Sequence, residues 1–417
     1  AASAKDGGEA MRVTRAYARD GQITWAPDSK RIVYVSERNG NGQLFLYDFA
    51  TNTETQLTSD KLNDTAPKFS PDGKSLAFVR DRKELRVMDV ATKQDRVVTS
   101  SYLNPSQGTL AWSPDSKWIA YGALSTKAFR NVFAVPAAGG EARAVSFLPN
   151  GFISTVSWSP DGTYLMYNSA QRTEAALLAR VDLTLRTPKF REDQFRDLFK
   201  DEPGRPNAQA ERQREAAASG EAKKDDKKAV EIVFENIRQR ASALATGVDV
   251  NAQTISPDGK TLLLTAEAAE RVNLYTWSLD ELAREPAVAR QITSTPGFKS
   301  NAQFTPDSKE VYYLENGRIN IAPLDGRPPR SLNVTAELDV DFSQEKMEVF
   351  RQAWTYLRDG FYDEKFHGVN WDAVRTEYAP HIAGATTPDE MRRLLNLMVG
   401  ELNASHMGVA GGGGVWG

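Results

Sequence analysis

Apolar and polar positions alternate with period two along most of the chain, in short runs that flank one recurring turn. The phrase appears as "ITWAPDSKRIVYVS" from 23, "PKFSPDGKSLAFVR" from 67, "LAWSPDSKWIAYGA" from 110, "VSWSPDGTYLMYNS" from 156, "QTISPDGKTLLLTA" from 253 and "AQFTPDSKEVYYLE" from 302. Proline presets φ at the second turn position, aspartate bonds its own backbone at the third, and Gly or Ser takes the bend back. Each copy therefore predicts a β-hairpin. A further strand such as "GQLFLYDFAT" and a short outer strand such as "ETQLTSD" follow, making four strands per unit. Asp28, Asp72, Asp115 and Asp161 recur at about 45 residues, the spacing of four-stranded propeller blades. The expected architecture is mainly β, a β-propeller of six recognisable blades over residues 1–341.

Two places break the repeat. Asp161 to Asp258 is about twice the usual step, and the stretch between is charged, Ala-rich and poor in β-branched residues, so it cannot supply four buried strands. A loop insertion at about 189–229 inside the fourth blade is expected, with "IRQRASALATG" as that blade's outer strand. At the start, "MRVTRAYARDG" reads as the outer strand and turn that precede a hairpin, though no blade comes before it. It is assigned to a further blade encoded upstream, closure of the ring being the alternative.

From Phe342 the period changes from two to 3.6. Met347, Phe350, Trp354, Leu357 and Phe361 form one apolar stripe, with Ser343 as the expected N-cap. A second helix opens at Asn370. A third is capped by Thr387, with Pro388 in its first turn, Glu390 completing a capping box, and Met391, Leu394, Leu395, Met398 and Leu402 on its buried face. These make a small α-helical subdomain over 342–410 with little core of its own, which must dock on something. Residues 411–417 read as a Gly-rich linker.

Composition narrows the function. The formal net charge is -3, with no basic excess of the kind nucleic-acid binding uses, so no DNA or RNA partner is expected. No cysteine is present, which removes thiolate metal sites and a thiol nucleophile. No apolar run approaches the ~20 residues of a membrane helix, so no membrane partner is expected. Three histidines remain. His367 and His381 sit in no HExxH or similar zinc pattern, so neither a metal nor a cofactor is expected. Gly412, Gly414 and Gly417 formally match a dinucleotide fingerprint but sit in no βαβ unit. No GxSxG elbow occurs. His406 differs: it follows Ser405 directly at a helix exit, a loop position where function commonly resides.

The "SPDG" repeats, "FRQAWTYLRDGFYDEKFHGVNWDAVRTEYAP" and "TPDEMRRLLNLMVGELNASHMGVAGGGG" together resemble tricorn protease and its bacterial homologues, serine peptidases of the S41 family. The resemblance covers nearly the whole chain and is densest over 342–410; the repeats also occur in TolB-like and oligopeptidase propellers. It implies a serine endopeptidase or oligopeptidase acting on peptide substrates, in which an open seven-bladed propeller precedes the helical subdomain, a PDZ domain and a C-terminal catalytic subdomain. His406 is then the general base for a serine, with Ser405 in the hydrogen-bond relay. Nucleophile, glutamate and oxyanion hole would lie past a PDZ domain that the Gly-rich linker leads towards. On that reading the 417 residues form a fragment, inactive alone. The resemblance further implies homo-oligomeric assembly. A cytoplasmic protein is expected, or a periplasmic one had a signal peptide preceded it. The competing expectation is a propeller interaction module with the helices as docking platform.

Overall fold

The computed structural model describes residues 1–410 except 15, 104–106, 126–128, 149–151, 171–175, 187–228, 284 and 338. Six four-stranded antiparallel sheets follow one another in chain order. In the first, β2 (Asp20–Trp25) pairs with β3 (Arg31–Ser36), β3 with β4 (Gln43–Asp48), and β4 with β5 (Thr53–Gln56). The other five occupy residues 64–100, 110–144, 156–244, 249–291 and 299–331 in the same order. This is the expected six-bladed propeller. The second strand is covered on both faces in the first four sheets, as at Tyr164–Ser169, where all six residues are buried, whereas in the sixth only Val311 and Tyr313 of Glu310–Glu315 are buried. Apolar cores lie between neighbouring sheets: Val33, Leu44 and Phe69 join the first to the second, and Val132, Leu165 and Val181 join the third to the fourth. The ring is held by many interblade layers rather than by one centre, since a sheet hydrophobic on both faces must pack on both sides.

The repeated turn explains its own wording. Gly73 N–H donates to Ser70 O at 2.9 Å, closing the turn, while the Ser70 hydroxyl donates to Asp72 Oδ1 at 2.5 Å and accepts from Ser75 N. Asp72 Oδ1 also accepts from Lys74 N at 3.1 Å. The last turn position is left-handed in every copy, with φ 56 at Ser29, 71 at Gly73, 62 at Ser116, 71 at Gly162, 71 at Gly259 and 59 at Ser308. A second regularity has no clear sequence signature. The inner strands of sheets one, two, five and six carry bulges, between Gly21 and Thr24, Thr65 and Lys68, Val250 and Ala252, and Ser300 and Gln303. Bulges sharpen local twist, and they link blades: Ala66 N–H donates to Gln22 Oε1 across the first interface at 2.5 Å.

The fourth sheet is completed by Ala241–Leu244, which pairs with Leu178–Val181, so its last two strands flank the 189–229 stretch. Residues 189–228 of that stretch lie outside the described residues, as does the 411–417 linker. The leading strand differs in position from the sequence reading. The 11–19 stretch carries no strand among its described residues; the strand is β1 (Gly8–Glu9), paired in parallel with Val334–Thr335 beyond the sixth sheet. Tyr312 of the sixth sheet donates its hydroxyl to Ala4 O at 2.7 Å. The leading residues thus lie against the sixth blade. Alternation alone could not reveal this, because a two-residue parallel pair is fixed by contacts more than 300 residues apart.

Three helices follow: α1 (Phe342–Gly360), α2 (Trp371–Gly384) and α3 (Pro388–Gly400). The cap of α1 is Asp341, whose carboxylate accepts from Ser343 N at 2.8 Å, not Ser343 itself. The other caps stand as expected, Asn370 for α2 and the Thr387–Glu390 box for α3. Phe350, Trp354, Leu357, Trp371, Val374, Ile382, Leu395, Met398, Val399 and Leu402 make one core. Lys346 is buried along α1 and donates to Ala383 O and Ala385 O at 2.6 and 2.8 Å, satisfying carbonyls at the end of α2. The end of α1 docks on the first blade. Arg358 Nη2 donates to Asn41 Oδ1 at 2.9 Å, Asn63 Nδ2 donates to Asp359 Oδ2 at 2.9 Å, and Arg351 lies 3.9 Å from Glu37. Asn41 and Asn63 belong to the β3–β4 and β5-to-next-blade connections, so the helices dock on the ring face opposite the repeated turns. No helix among the described residues is long and apolar enough to cross a membrane.

Candidate active site

Ser405 and His406 lie in a turn just beyond α3, and both are exposed. The helix ends where Leu402 N–H donates to Val399 O and Asn403 N–H to Gly400 O, with Asn403 left-handed at φ 45. The buried Leu402 side chain drops into the helical core and fixes the exit. His406 is itself left-handed, φ 60, a conformation in which a non-glycine residue is unusual. No group among the described residues hydrogen-bonds its imidazole, so both ring nitrogens are available to an incoming partner.

The turn is tied down on each side. At its start, His367 Nδ1 lies 2.8 Å from Leu402 O, and its Nε2 meets the Tyr362 hydroxyl. Because a carbonyl only accepts, Nδ1 carries the hydrogen, which leaves Nε2 of the neutral ring to accept from Tyr362. The Phe361 ring stands at 73° to this imidazole with centroids 5.3 Å apart. Asp363 holds the loop from below: its carboxylate accepts from Lys365 N and His367 N, which keeps its pKa below the usual range. At the far side, Asn396 of α3 acts as a strand edge for Val409. Its Oδ1 accepts from Val409 N at 2.8 Å and its Nδ2 donates to Val409 O at 2.9 Å. Tyr378 of α2 donates to Glu401 Oε1 at 2.8 Å, and burial together with that carboxylate pushes the phenol up to about 12.

The structure leaves Ser405 and His406, neighbours in the chain, exposed at one corner and puts His367 into the support of that corner. His381 sits apart on α2, exposed, with its ring at 70° to that of Tyr378. The sequence marks His367 only as a histidine outside any metal pattern and does not single out Asn396. Its only signal is an amide among apolar positions of α3, four residues after Arg392, whose carbonyl it also binds at 2.9 Å.

Fold and corner together define a propeller joined to a small helical domain that presents a Ser-His pair. The family profile described as TolB beta propeller domain (PD40) matches residues 3–160, and that of the tricorn protease C1 domain matches residues 342–400. The chain is tricorn-like, a PD40 propeller carrying a tricorn C1 domain. Tricorn protease homolog 1 of Streptomyces coelicolor is 27% identical over 143 residues, 32% of this chain and 13% of that protein. The Tol-Pal system protein TolB of Francisella tularensis is 32% identical over 81 residues, 18% of this chain and 19% of that one. Among solved structures, the tricorn protease superposes with a TM-score of 0.65 at 16% identity, covering 91% of this chain and 37% of its own. An oligogalacturonate lyase superposes at 0.52 with 15% identity, covering 79% and 81%, a likeness of fold alone. The matched stretch is thus a small part of the Streptomyces relative's length, and Ser405 and His406 lie just past the matched C1 residues.

Proposed function

We propose that this chain contributes the general base of a serine peptidase acting on peptides. His406 takes the proton from a serine hydroxyl presented by a separate lobe, and Ser405 shares in the hydrogen-bond relay beside it. The oxygen attacks the peptide carbonyl, and the imidazolium returns its proton to the leaving amine. Described residues alone do not perform this reaction, because no hydroxyl meets the His406 ring. Nucleophile and oxyanion donors belong to the further lobe, and assembly of several copies would enclose the chamber. The carrying observation is the solvent-facing, unpaired imidazole on a turn fixed at each foot, in a chain that resembles tricorn proteases over its C1 domain.

The test is a fluorogenic-peptide assay on the full-length gene product. His406→Ala is expected to lower kcat by roughly 10²–10⁴-fold, the usual contribution of a positioned base, and a serine-directed phosphonate should label a residue other than Ser405. Equal turnover in wild type and His406→Ala overturns the assignment. A second reading, the docking platform, draws support from Tyr356, Tyr362 and Leu397, which are 74%, 76% and 61% exposed. The two part at His406: a platform tolerates its loss and a base does not.

A further inference from the structure

The turn that carries His406 is bracketed by two residues that reach it from different parts of the helical domain. His367 comes from the loop between α1 and α2 and holds Leu402 O, four residues before His406. Asn396 comes from α3 and holds both backbone groups of Val409, three residues after it. Apart from Asn403 N–H, which donates to Gly400 O at the helix exit, the backbone between these points has no other hydrogen bond to the domain among the described residues. The bracket is itself built from unusual conformations: Phe366 and His367 are left-handed at φ 50 and 54, as are Asn403 and His406 at 45 and 60. Four non-glycine residues in that region persist only where surrounding contacts over-determine them, and such clusters mark sites where geometry is set in advance. Leu402 O is moreover a carbonyl past the end of a helix, which water could satisfy as well. A histidine ring brought across 35 residues and locked by Tyr362 fixes position where water would not.

We propose that His367 and Asn396 are positioning residues for His406, setting the imidazole where an approaching serine hydroxyl needs it. This rests on the peptidase reading above. Neither touches the reacting atoms. Each fixes one foot of the turn, so that the base is already in place when the second lobe arrives, and no ordering has to accompany the proton transfer. A displacement of about 1 Å in such a group can cost ~10²-fold in rate.

Isosteric variants in the full-length protein separate this from simple stability. In His367→Asn the amide nitrogen falls near the Nδ1 position and asparagine tolerates a left-handed backbone, so the bond to Leu402 O is kept. In His367→Gln the nitrogen falls near Nε2, facing Tyr362, and that bond is lost. Asn396→Asp keeps an acceptor for Val409 N but sets a second oxygen against Val409 O. With a short fluorogenic peptide, kcat is expected to fall about 10- to 100-fold in His367→Gln and Asn396→Asp with KM within about twofold, while His367→Asn stays within about threefold of wild type. Imidazole resonances of the 417-residue chain offer a second readout, since it holds only three histidines: the His406 signal should shift and narrow in Asn396→Asp with the His381 signal unchanged. Unaltered kcat in His367→Gln and Asn396→Asp, or equal losses in His367→Asn and His367→Gln, or a change confined to KM, overturns the positioning role. If His406→Ala retains full turnover, the peptidase reading itself is what has failed, whatever these variants do.

Discussion

The propeller and the helical domain reach stability in opposite ways. The ring repeats one device six times, a serine or threonine hydroxyl or neighbouring amide on a turn aspartate, with an apolar layer between each sheet and the next along the chain. The helical domain depends on a single core with unique parts. At its centre two indoles exchange bonds: Trp354 Nε1 donates to Trp371 O at 2.9 Å and Trp371 Nε1 to Trp354 O at 3.1 Å. Repetition distributes the cost of any one defect, whereas a unique pair concentrates it. The domain that carries His406 is therefore also the one that a single substitution can undo.

That contrast is broken most strongly at Trp371, which is buried and stacked on Phe366 with centroids 5.9 Å apart. Trp371→Ala is expected to destabilise the helical domain by about 3–5 kcal/mol, seen in calorimetry as an early helical transition that separates from a propeller transition left nearly in place. A single shifted transition would mean that the two regions unfold as one. Acid acts on the ring instead. Asp28, Asp258 and Asp307 are lowered first by bonds from Lys30 N, the Ser256 hydroxyl and the Thr305 hydroxyl. At Asp115 and Asp161 burial raises the pKa, but the Ser113 and Ser159 hydroxyls and turn amides outweigh it. A carboxyl lowered by folding contributes stability above its unfolded pKa of about 4 and loses it as pH falls through the folded value. The urea midpoint of the propeller should hold from pH 7 to about 5 and decline below about 4. Asp161→Asn should lower the midpoint at neutral pH and approach wild type near pH 3. A gap that stays constant across that range would show that ionisation of Asp161 contributes nothing.

Legibility in the sequence follows the same division. The ring was readable because the turn's chemistry is local: Ser, Pro, Asp and Gly act within five residues of one another, and six copies average out accidents. Asn370, Thr387 and Glu390 were readable for the same reason, as caps that bond three residues away. Asp341 was missed in favour of Ser343 because both are good caps and only backbone geometry separates them. The leading strand was misplaced because its partner, Val334–Thr335, is remote. At the candidate site the Ser405–His406 pair was visible, yet its supports were not. His367 reaches Leu402 across 35 residues, and Asn396 reaches Val409 across 13, through the fold.

The comparison sharpens at two small changes. Thr387→Ala removes a hydroxyl that accepts from Glu390 N at 3.2 Å and keeps the other half of the box, in which the Glu390 carboxylate accepts from Thr386 N and Thr387 N. A loss of about 1 kcal/mol is expected from the helical transition, measurable as a lower denaturant midpoint at unchanged slope. Ser116→Gly in the ring should do far less, because two effects of similar size oppose. Ser116 is left-handed at φ 62, and glycine relieves a conformation that costs an L-residue about 1–2 kcal/mol. Its hydroxyl, however, accepts from Asp72 N of the preceding blade at 3.1 Å, a bond worth about 0.5–1.5 kcal/mol. Gly73, Gly162 and Gly259 occupy the same position in other blades, so the ring already accommodates the smaller residue. The expected change is under about 0.5 kcal/mol. A loss above about 1 kcal/mol would show that the link between neighbouring turns outweighs backbone relief, and that the ring is held by blade-to-blade bonds more than by six independent turns.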